Sequence, residues 1–471
     1  MEAEKVKLKI DFKSVLKVVA LLYAILLTVG ILTYVLPTGR YRTEIDETGH
    51  EAIIPDTFEY VESTTRVPWY RWPVAPVETL IFDSQRTTIL VIIATILILG
   101  GCFKALDECG AMNALVKLLI VRFRKRRFLA VCAITLAMML LSSFFGLQEE
   151  LFVIFPIFLS LAAAMRWEKR TALSLVLITT GVGFTCALFN PFTVGICSEL
   201  AKVSVMDGLW FRAVMFVILA AFTCGYMVLM AKRDEKKLGS AVEISDNAVA
   251  LSADEKRRAL AVLALFGFVL AVVIVFGAVP ALSALGLSMI IMAAAFLIGT
   301  IALGRVLIGS FRALFKAFFR GVLDVAPSAI VIVTAFSIKY VAEKGDILHT
   351  IFHAMSGMLT GFSPYIAVLI ILGFVLLLEF FIPSATAKAS LMIPLLTLAP
   401  IPGISKNVII LCYLLGDGYT NILYPTCSTL MIGLGIANVS YIDWIKRTWW
   451  FQLALLVSSV LFLWAAVAIG L

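Results

Sequence analysis

Four short polar runs stand inside otherwise apolar stretches of this 471-residue chain, and they are where chemistry can occur. The first, Gln148-Glu149-Glu150, sets two adjacent carboxylates in a hydrophobic region. An ionised acid in lipid costs about 3 kcal/mol on insertion scales, so such acids face protein or a water-filled cavity. There they suit a cation, a proton or a substrate amine; a solvated loop between two full spans is the alternative. The second run is Phe189-Asn190-Pro191-Phe192-Thr193. Proline inside an apolar helix breaks the hydrogen-bond ladder and is well placed to start the next half-helix. Asn190 and Thr193 then offer polar groups at the break, and the half-helix N-terminus offers free N–H groups to an anion. A proline kink with structural caps would look the same. The third run, Pro383-Ser384-Ala385-Thr386-Ala387-Lys388, combines a small-residue turn with the hydroxyls of Ser384 and Thr386. Lys388 needs a partner there: a substrate carboxylate, Glu379 or an acid of the first run. The fourth is Gly416-Asp417-Gly418-Tyr419-Thr420-Asn421, followed by Tyr424-Pro425-Thr426. It reads as an unwound segment whose carbonyls and Asp417 coordinate sodium or relay a proton, or else as an exterior loop. Substrate-binding candidates are therefore Gln148, Glu149, Glu150, Asn190, Thr193, Ser384, Thr386, Lys388, Asn421 and Thr426. Ion-coupling candidates are Asp417, Thr420, Asn190 and Glu149, with Na+ or H+ as the coupling ion.

The elements that position these runs follow from composition. The chain is 61% hydrophobic and 15% charged, with a mean hydropathy of +1.02. Soluble domains run about 45–50% apolar and about 25% charged. The chain is thus an all-α polytopic membrane protein, which excludes soluble enzymes and nucleic-acid binders. Its eight cysteines lie in or beside apolar runs without CxxC spacing, so a disulfide framework or zinc site is not expected. His349 and His353 share a helix face at i, i+4, but lack an acidic or cysteine partner for a metal. No GxxxxGK[ST], GxGxxG or GxSxG pattern occurs, so neither a nucleotide site nor a nucleophile elbow is present. No cofactor is implied and the chain does not read as an enzyme.

Apolar runs place spans near 15–36, 87–103, 171–201, 208–231, 259–277, 285–303, 325–341, 407–437 and 449–470. The first follows Lys5, Lys7, Lys9, Lys13 and Lys17 with no cleavage pattern after it, and reads as a retained helix. Regions 128–165 and 364–400 are interrupted midway and read as re-entrant hairpins. Nine spans plus two hairpins leave 28 of the 39 Lys and Arg on one side, the cytoplasmic side of a bacterial inner membrane. The N-terminus is then cytoplasmic and the C-terminus extracytoplasmic; two full-span pairs in place of the hairpins give the same parity. The expected units are an N-terminal helix (1–36), an extracytoplasmic loop (37–86), a first repeat (87–231), a cytoplasmic linker (232–258), linking helices (259–304), a cytoplasmic loop (305–324) and a second repeat (325–471). In segment 37–86, Glu47-Thr48-Gly49 reads as a hairpin turn, and Trp69, Tyr70 and Trp72 as interface anchors.

A shift of about 235 residues aligns Lys104, Glu108 and Gly110 with Lys339, Glu343 and Gly345. It also aligns Phe144-Phe145 with Phe380-Phe381, Pro191 with Pro425 and Asp207 with Asp443. An odd number of spans separates the copies, so the second is inverted, with two hairpins and two broken helices in all. Inverted repeats with interrupted helices are the architecture of secondary transporters, which bind substrate near the midplane.

Together, Leu36-Pro37-Thr38-Gly39, Gly146-Leu147-Gln148-Glu149-Glu150, Asn190-Pro191-Phe192-Thr193-Val194-Gly195, Phe381-Ile382-Pro383-Ser384 and Gly416-Asp417-Gly418-Tyr419-Thr420-Asn421 resemble the four-carbon-dicarboxylate anaerobic carrier family. Within it they are similar to the YfcC-like branch, described as basic-amino-acid antiporters. The resemblance covers nearly the whole chain and implies the fold of the ion transporter superfamily, with the two tips and two breaks lining the site and a homodimer as the assembly. The chain departs from the branch at Lys388, where an uncharged amide-type residue and more glycine are expected; a fixed cation there disfavours a second one. The reading is a secondary active transporter, ion-coupled or exchanging, for a small carboxylate-bearing metabolite, foremost an amino acid. A four-carbon dicarboxylate is the alternative substrate, and a channel or membrane enzyme the more distant readings.

Overall fold

The computed structural model describes residues 12–45, 51–54, 57–62, 64–83, 86–148, 151, 154–239, 251–277, 287–308, 310–358, 362–382, 384–398 and 403–471. Helix α1 (Phe12–Val35) leads into a polar segment with two antiparallel two-stranded sheets. In one, β1 (Gly39–Arg40) pairs with β4 (Glu59–Tyr60); in the other, β2 (Thr43–Ile45) pairs with β3 (Glu51–Ile53), Thr43 opposite Ile53. The expected turn Glu47-Thr48-Gly49 falls between β2 and β3, outside the described residues. Trp69 and Tyr70 are exposed, whereas Trp72 is buried against Gly30 of α1 and is a packing residue.

Helices follow almost without interruption. They are α2 (Ala75–Phe82), α3 (Arg86–Glu108), α4 (Ala111–Phe123), α5 (Arg127–Phe145), α6 (Phe155–Ala164), α7 (Lys169–Thr185), α8 (Ile196–Ala201), α9 (Leu209–Leu238), α10 (Ala253–Gly277) and α11 (Leu287–Ile308). The second half contains α12 (Phe311–Val325), α13 (Pro327–Lys344), α14 (Ile347–Met358), α15 (Pro364–Phe381), α16 (Ala385–Leu398), α17 (Lys406–Thr420), α18 (Ser428–Ala437) and α19 (Tyr441–Ala468). By length and composition, six of the described helices can cross a membrane, or seven if α12 and α13, bent by 42° at the break between them, form one span. Interrupted pairs such as α7–α8 and α17–α18 escape a length test because each half is short. Segment 305–324, expected as a loop, is largely α12, which packs along α3 where Gly321 meets the Gly100 backbone.

The order of elements recurs. Helices α4 to α9 and α14 to α19 follow one another in the same order, with similar lengths and breaks at corresponding places. Left-handed residues recur with them at helix ends: Gly110 and Asp346, Arg166 and Gly403, Lys202 and Asn438, separated by 236, 237 and 236 positions. This conformation costs roughly 1 kcal/mol or more for a residue with a Cβ, so non-glycine residues hold it only where the surrounding fold demands that corner.

Two sets of long-range polar contacts lie outside the core, beside others such as Lys406 Nζ to Ala201 O at 2.7 Å. One joins segment 37–86 to residues 339–349: Arg40 pairs with Asp346 at 2.7 Å, Tyr41 N donates to His349 Nδ1 at 2.9 Å, and Thr65 Oγ1 donates to Lys344 O at 3.0 Å. Burial holds His349 below the usual imidazole value, which suits a neutral ring accepting from Tyr41. The other set joins the basic segments. Lys117 pairs with Glu255 at 2.6 Å, Lys237 with Glu168 at 2.9 Å, Arg447 with Asp234 at 2.5 Å, and Arg127 with Glu235.

Helices α7 and α17 form the centre. All of Thr171–Thr185 and all of Val408–Thr420 are buried, as expected of helices enclosed by other helices. They cross closely: a Cβ on Gly418 would lie 2.2 Å from Thr185 N, and one on Gly181 would lie 2.4 Å from Ile422 Cγ2. Small residues let backbones approach this closely in membranes. Gly418→Ala is expected to cost about 1–3 kcal/mol by overpacking. Gly225→Ala, mid-helix in α9 with nothing within 4 Å of its added Cβ, should not lower the melting temperature in detergent and should raise it slightly.

Candidate functional site

The first break is held open by helix α5. Beyond Thr185 the chain leaves helix at Cys186, re-enters a π-type turn at Pro191–Gly195, and continues as α8. Freed backbone groups at such a break must find partners. The Ser143 carbonyl accepts from the N–H groups of Leu188, Phe189 and Asn190 at 3.0–3.1 Å. The Ser143 hydroxyl donates to Cys186 O at 2.8 Å and accepts from Leu188 N at 3.0 Å. Asn190 caps the new turn, its Oδ1 accepting from Phe192 N at 2.9 Å. Gly146, left-handed at the end of α5, lies so close that a Cβ there would be 2.5 Å from Asn190 Oδ1. The C-terminal end of α5 therefore abuts the first break. Gln148 is buried beside it, while Glu149 and Glu150 lie outside the described residues.

The second break begins later than the sequence suggests. Gly416, Asp417 and Gly418 stay helical within α17, which ends at Thr420. Their glycines serve packing rather than unwinding: Gly416 faces Val375 of α15, and Gly418 faces Thr185 of α7. Thr420 Oγ1 is spent on the Gly416 and Asp417 carbonyls at 3.1 and 2.8 Å. The non-helical stretch is 421–427, and α19 ties it down. Ile422 O accepts from Trp444 Nε1 at 2.9 Å and Gln452 Nε2 at 3.2 Å, and Leu423 O accepts from the Tyr441 hydroxyl at 2.8 Å. Asn421 Oδ1 accepts from the Cys427 thiol at 3.6 Å.

Between the second tip and α17 sits a buried charge cluster. Lys388, fully enclosed on the first turn of α16, donates to Asp417 Oδ1 at 2.8 Å and is in ion-pair contact with Glu379 of α15. Its Nζ also lies 5.3 Å from the centre of the Tyr413 ring, whose hydroxyl donates to Ala385 O. Thiols of Cys197 in α8 and Cys427 lie within electrostatic range of the ammonium. Ser384 and Thr386 hydroxyls meet at 3.3 Å at the tip. Pro383 lies outside the described residues.

Several buried polar atoms here have no hydrogen-bond partner among the described residues: Asn190 Nδ2, Thr193 Oγ1, Glu379 Oε1, Asp417 Oδ2 and Thr426 Oγ1. Leaving such atoms unpaired costs about 1–3 kcal/mol each, more for charged ones, so they are poised for a ligand, a proton or water. The π-type turn and α8 pack on α16 and α17, so the first break and the second tip share one interior region. Of the partners expected for Lys388, Glu379 is engaged, and it is joined by Asp417, which the sequence did not mark as a partner; Glu149 and Glu150 lie outside the described residues. Tyr413, Cys197 and Ser143 carry roles that the sequence left unmarked. Tyr413 was legible in principle, one helical turn before Asp417. Ser143 was not, because a serine in an apolar helix gives no sign of a carbonyl clamp 43 residues away from Cys186. Among the described residues no group of three or more His, Cys, Asp or Glu is arranged to hold a metal.

The sequence model of the C4-dicarboxylate anaerobic carrier family matches residues 15–468. The chain belongs to that family. It is a membrane transporter rather than an enzyme. Escherichia coli K12 has a relative described as "Putative basic amino acid antiporter YfcC", 27% identical over 406 residues, 79% of this carrier and 76% of that protein. A Haemophilus influenzae protein described as uncharacterized is 22% identical over 365 residues, 74% of this carrier and 70% of that protein. Among solved structures, the Alcanivorax borkumensis YdaH transporter is similar over 96% of this carrier and 99% of its own chain, at 18% identity and a TM-score of 0.43.

Asn190 offers a way to separate cap from ligand in this carrier. Asn190→Ala should lower stability by about 1 kcal/mol through loss of the cap. Asn190→Ser keeps a capping oxygen but loses Nδ2, so its melting temperature should stay near the parent's while transport in proteoliposomes falls.

Proposed function

We propose that this carrier is a secondary active transporter for an amino acid, bound between the two tips and the two breaks. The observation that carries the reading is the buried Lys388–Glu379–Asp417 cluster. Two carboxylates face one ammonium, so the ionised cluster holds one uncompensated negative charge. Burying it is costly unless a further positive group arrives. An amino acid's ammonium is such a group, and a proton is another. Asn190 Nδ2 and the Thr193 and Thr426 hydroxyls are donors for a substrate carboxylate. The objection that Lys388 would repel a cation weakens, because its charge is more than matched by neighbouring acids. The relative named as an antiporter of basic amino acids points the same way. For a four-carbon dicarboxylate, which the family description favours, Lys388 is no longer an open counter-charge.

Two hairpins and two broken helices in inverted repeats are part of this proposal. The end of α5 lies against Asn190, the first break packs on α16, and the repeated left-handed corners support the duplication. The two sets of polar contacts support two faces, with the basic set on the cytoplasmic side of an inner membrane. Alternating access then moves one side of the tip-and-break region against the other.

Counterflow decides between substrates. Proteoliposomes loaded with L-arginine or L-lysine should accumulate the labelled amino acid from outside, saturably, with competition by amino acids and none by succinate. Asp417→Asn should reduce this flux at least tenfold. Succinate counterflow without an amino-acid effect would overturn the assignment in favour of dicarboxylate exchange, and non-saturating flux would indicate a channel.

A further inference from the structure

We infer that Lys388 is a tethered cation that fills the position a coupling sodium ion would take, so this carrier cycles without sodium. The inference rests on the transporter reading above, and it concerns which ion the site uses. A sodium site at a broken helix draws on carboxylates and on carbonyls freed by unwinding. Here Gly416–Thr420 stays helical, the carbonyls Ile422 O and Leu423 O of the second break are taken by side chains of α19, and Asn421 Oδ1 by the Cys427 thiol. One oxygen of each buried carboxylate, from α15 and α17, faces the ammonium of Lys388, while Glu379 Oε1 and Asp417 Oδ2 have no hydrogen-bond partner among the described residues.

That ammonium cannot leave. It is joined by four methylenes to the first turn of α16, immediately after the second tip, and Tyr413 lies against it. A free sodium ion enters and leaves with each cycle, whereas Lys388 changes its distance from Glu379 and Asp417 only when α16 moves relative to α15 and α17. The groups facing it are Glu379, Asp417, Tyr413 and the thiols of Cys197 and Cys427. Tyrosine and thiols are neutral hosts in apolar surroundings, so the one remaining negative charge is the exchangeable part. A proton or the substrate's own ammonium compensates it.

The test reads stability, not transport, so its failure is separable from failure of the transporter reading. Purified full-length protein in detergent is melted in sodium chloride and in choline chloride at equal ionic strength. The parent should give superimposable curves. Lys388→Ala empties the position between the carboxylates, so its melting temperature should fall in choline and recover saturably with sodium. Glu379→Gln added to Lys388→Ala should remove that recovery. A parent melting temperature that rises saturably with sodium, and loses this response in Asp417→Asn, would overturn the inference. A folded Lys388→Ala protein that ignores sodium would overturn it equally. If Lys388→Ala does not fold, Lys388→Arg takes its place: it should fold and remain indifferent to sodium, and a sodium-dependent Lys388→Arg would contradict the proposal.

Discussion

A lysine fully buried in an apolar membrane protein sets the terms for everything around it. Taking an ammonium and two carboxylates out of water is costly, and attraction repays that cost only when the partners are held in place. Lys388 is enclosed, and both partners come from other helices, Glu379 from α15 and Asp417 from α17. The cluster therefore fixes how α15 and α16 lie against the central helix α17. Removal of one partner from such a group costs about 3–5 kcal/mol in soluble proteins, because a buried charge is left behind. A structure that keeps this arrangement, with one acid in excess, keeps a position where an added positive charge is stabilising.

Close packing makes that arrangement reachable. Gly181 and Gly418 let α7 and α17 cross with their backbones nearly in contact. That crossing carries the first break up to α16, and Ser143 and α19 supply the hydrogen bonds that an interrupted helix loses. Each break is thus stabilised by residues from a different helix. The polar atoms left over, Asn190 Nδ2 and the Thr193 and Thr426 hydroxyls, have no hydrogen-bond partner among the described residues.

Much of this was legible in the sequence, for physical reasons. Composition alone dictates a helical membrane protein, and prolines at 191 and 383 mark where helices must stop. Charges in apolar runs mark candidate site positions, because lipid disfavours them unless protein or water surrounds them. Position 417 shows the limit. Glycines on both sides of Asp417 suggested an unwound segment, yet they serve close approach to Val375 and Thr185, and the helix runs on to Thr420. A glycine needed for space and a glycine needed for backbone freedom look identical in a sequence. Segment 305–324 misled in the same way: its charges alternate with apolar residues at helical spacing, so it forms α12. The partner of Lys388 was equally open until the helices were packed, since Glu379 and Asp417 are 9 and 29 residues away.

The proposed transporter binds its substrate beside the Lys388 cluster, where α8 packs on α16 and α17. Cys197 reports on that place, being buried in α8 within electrostatic range of Lys388 and Asp417. The direct measurement is alkylation by N-ethylmaleimide of a protein in which Cys197 is the sole cysteine, with and without a substrate shown to be transported. Alkylation should be slow and should slow further, saturably, as substrate is added, while an amino acid that is not transported has no effect. Labelling that proceeds at the same rate at every substrate concentration would contradict the account.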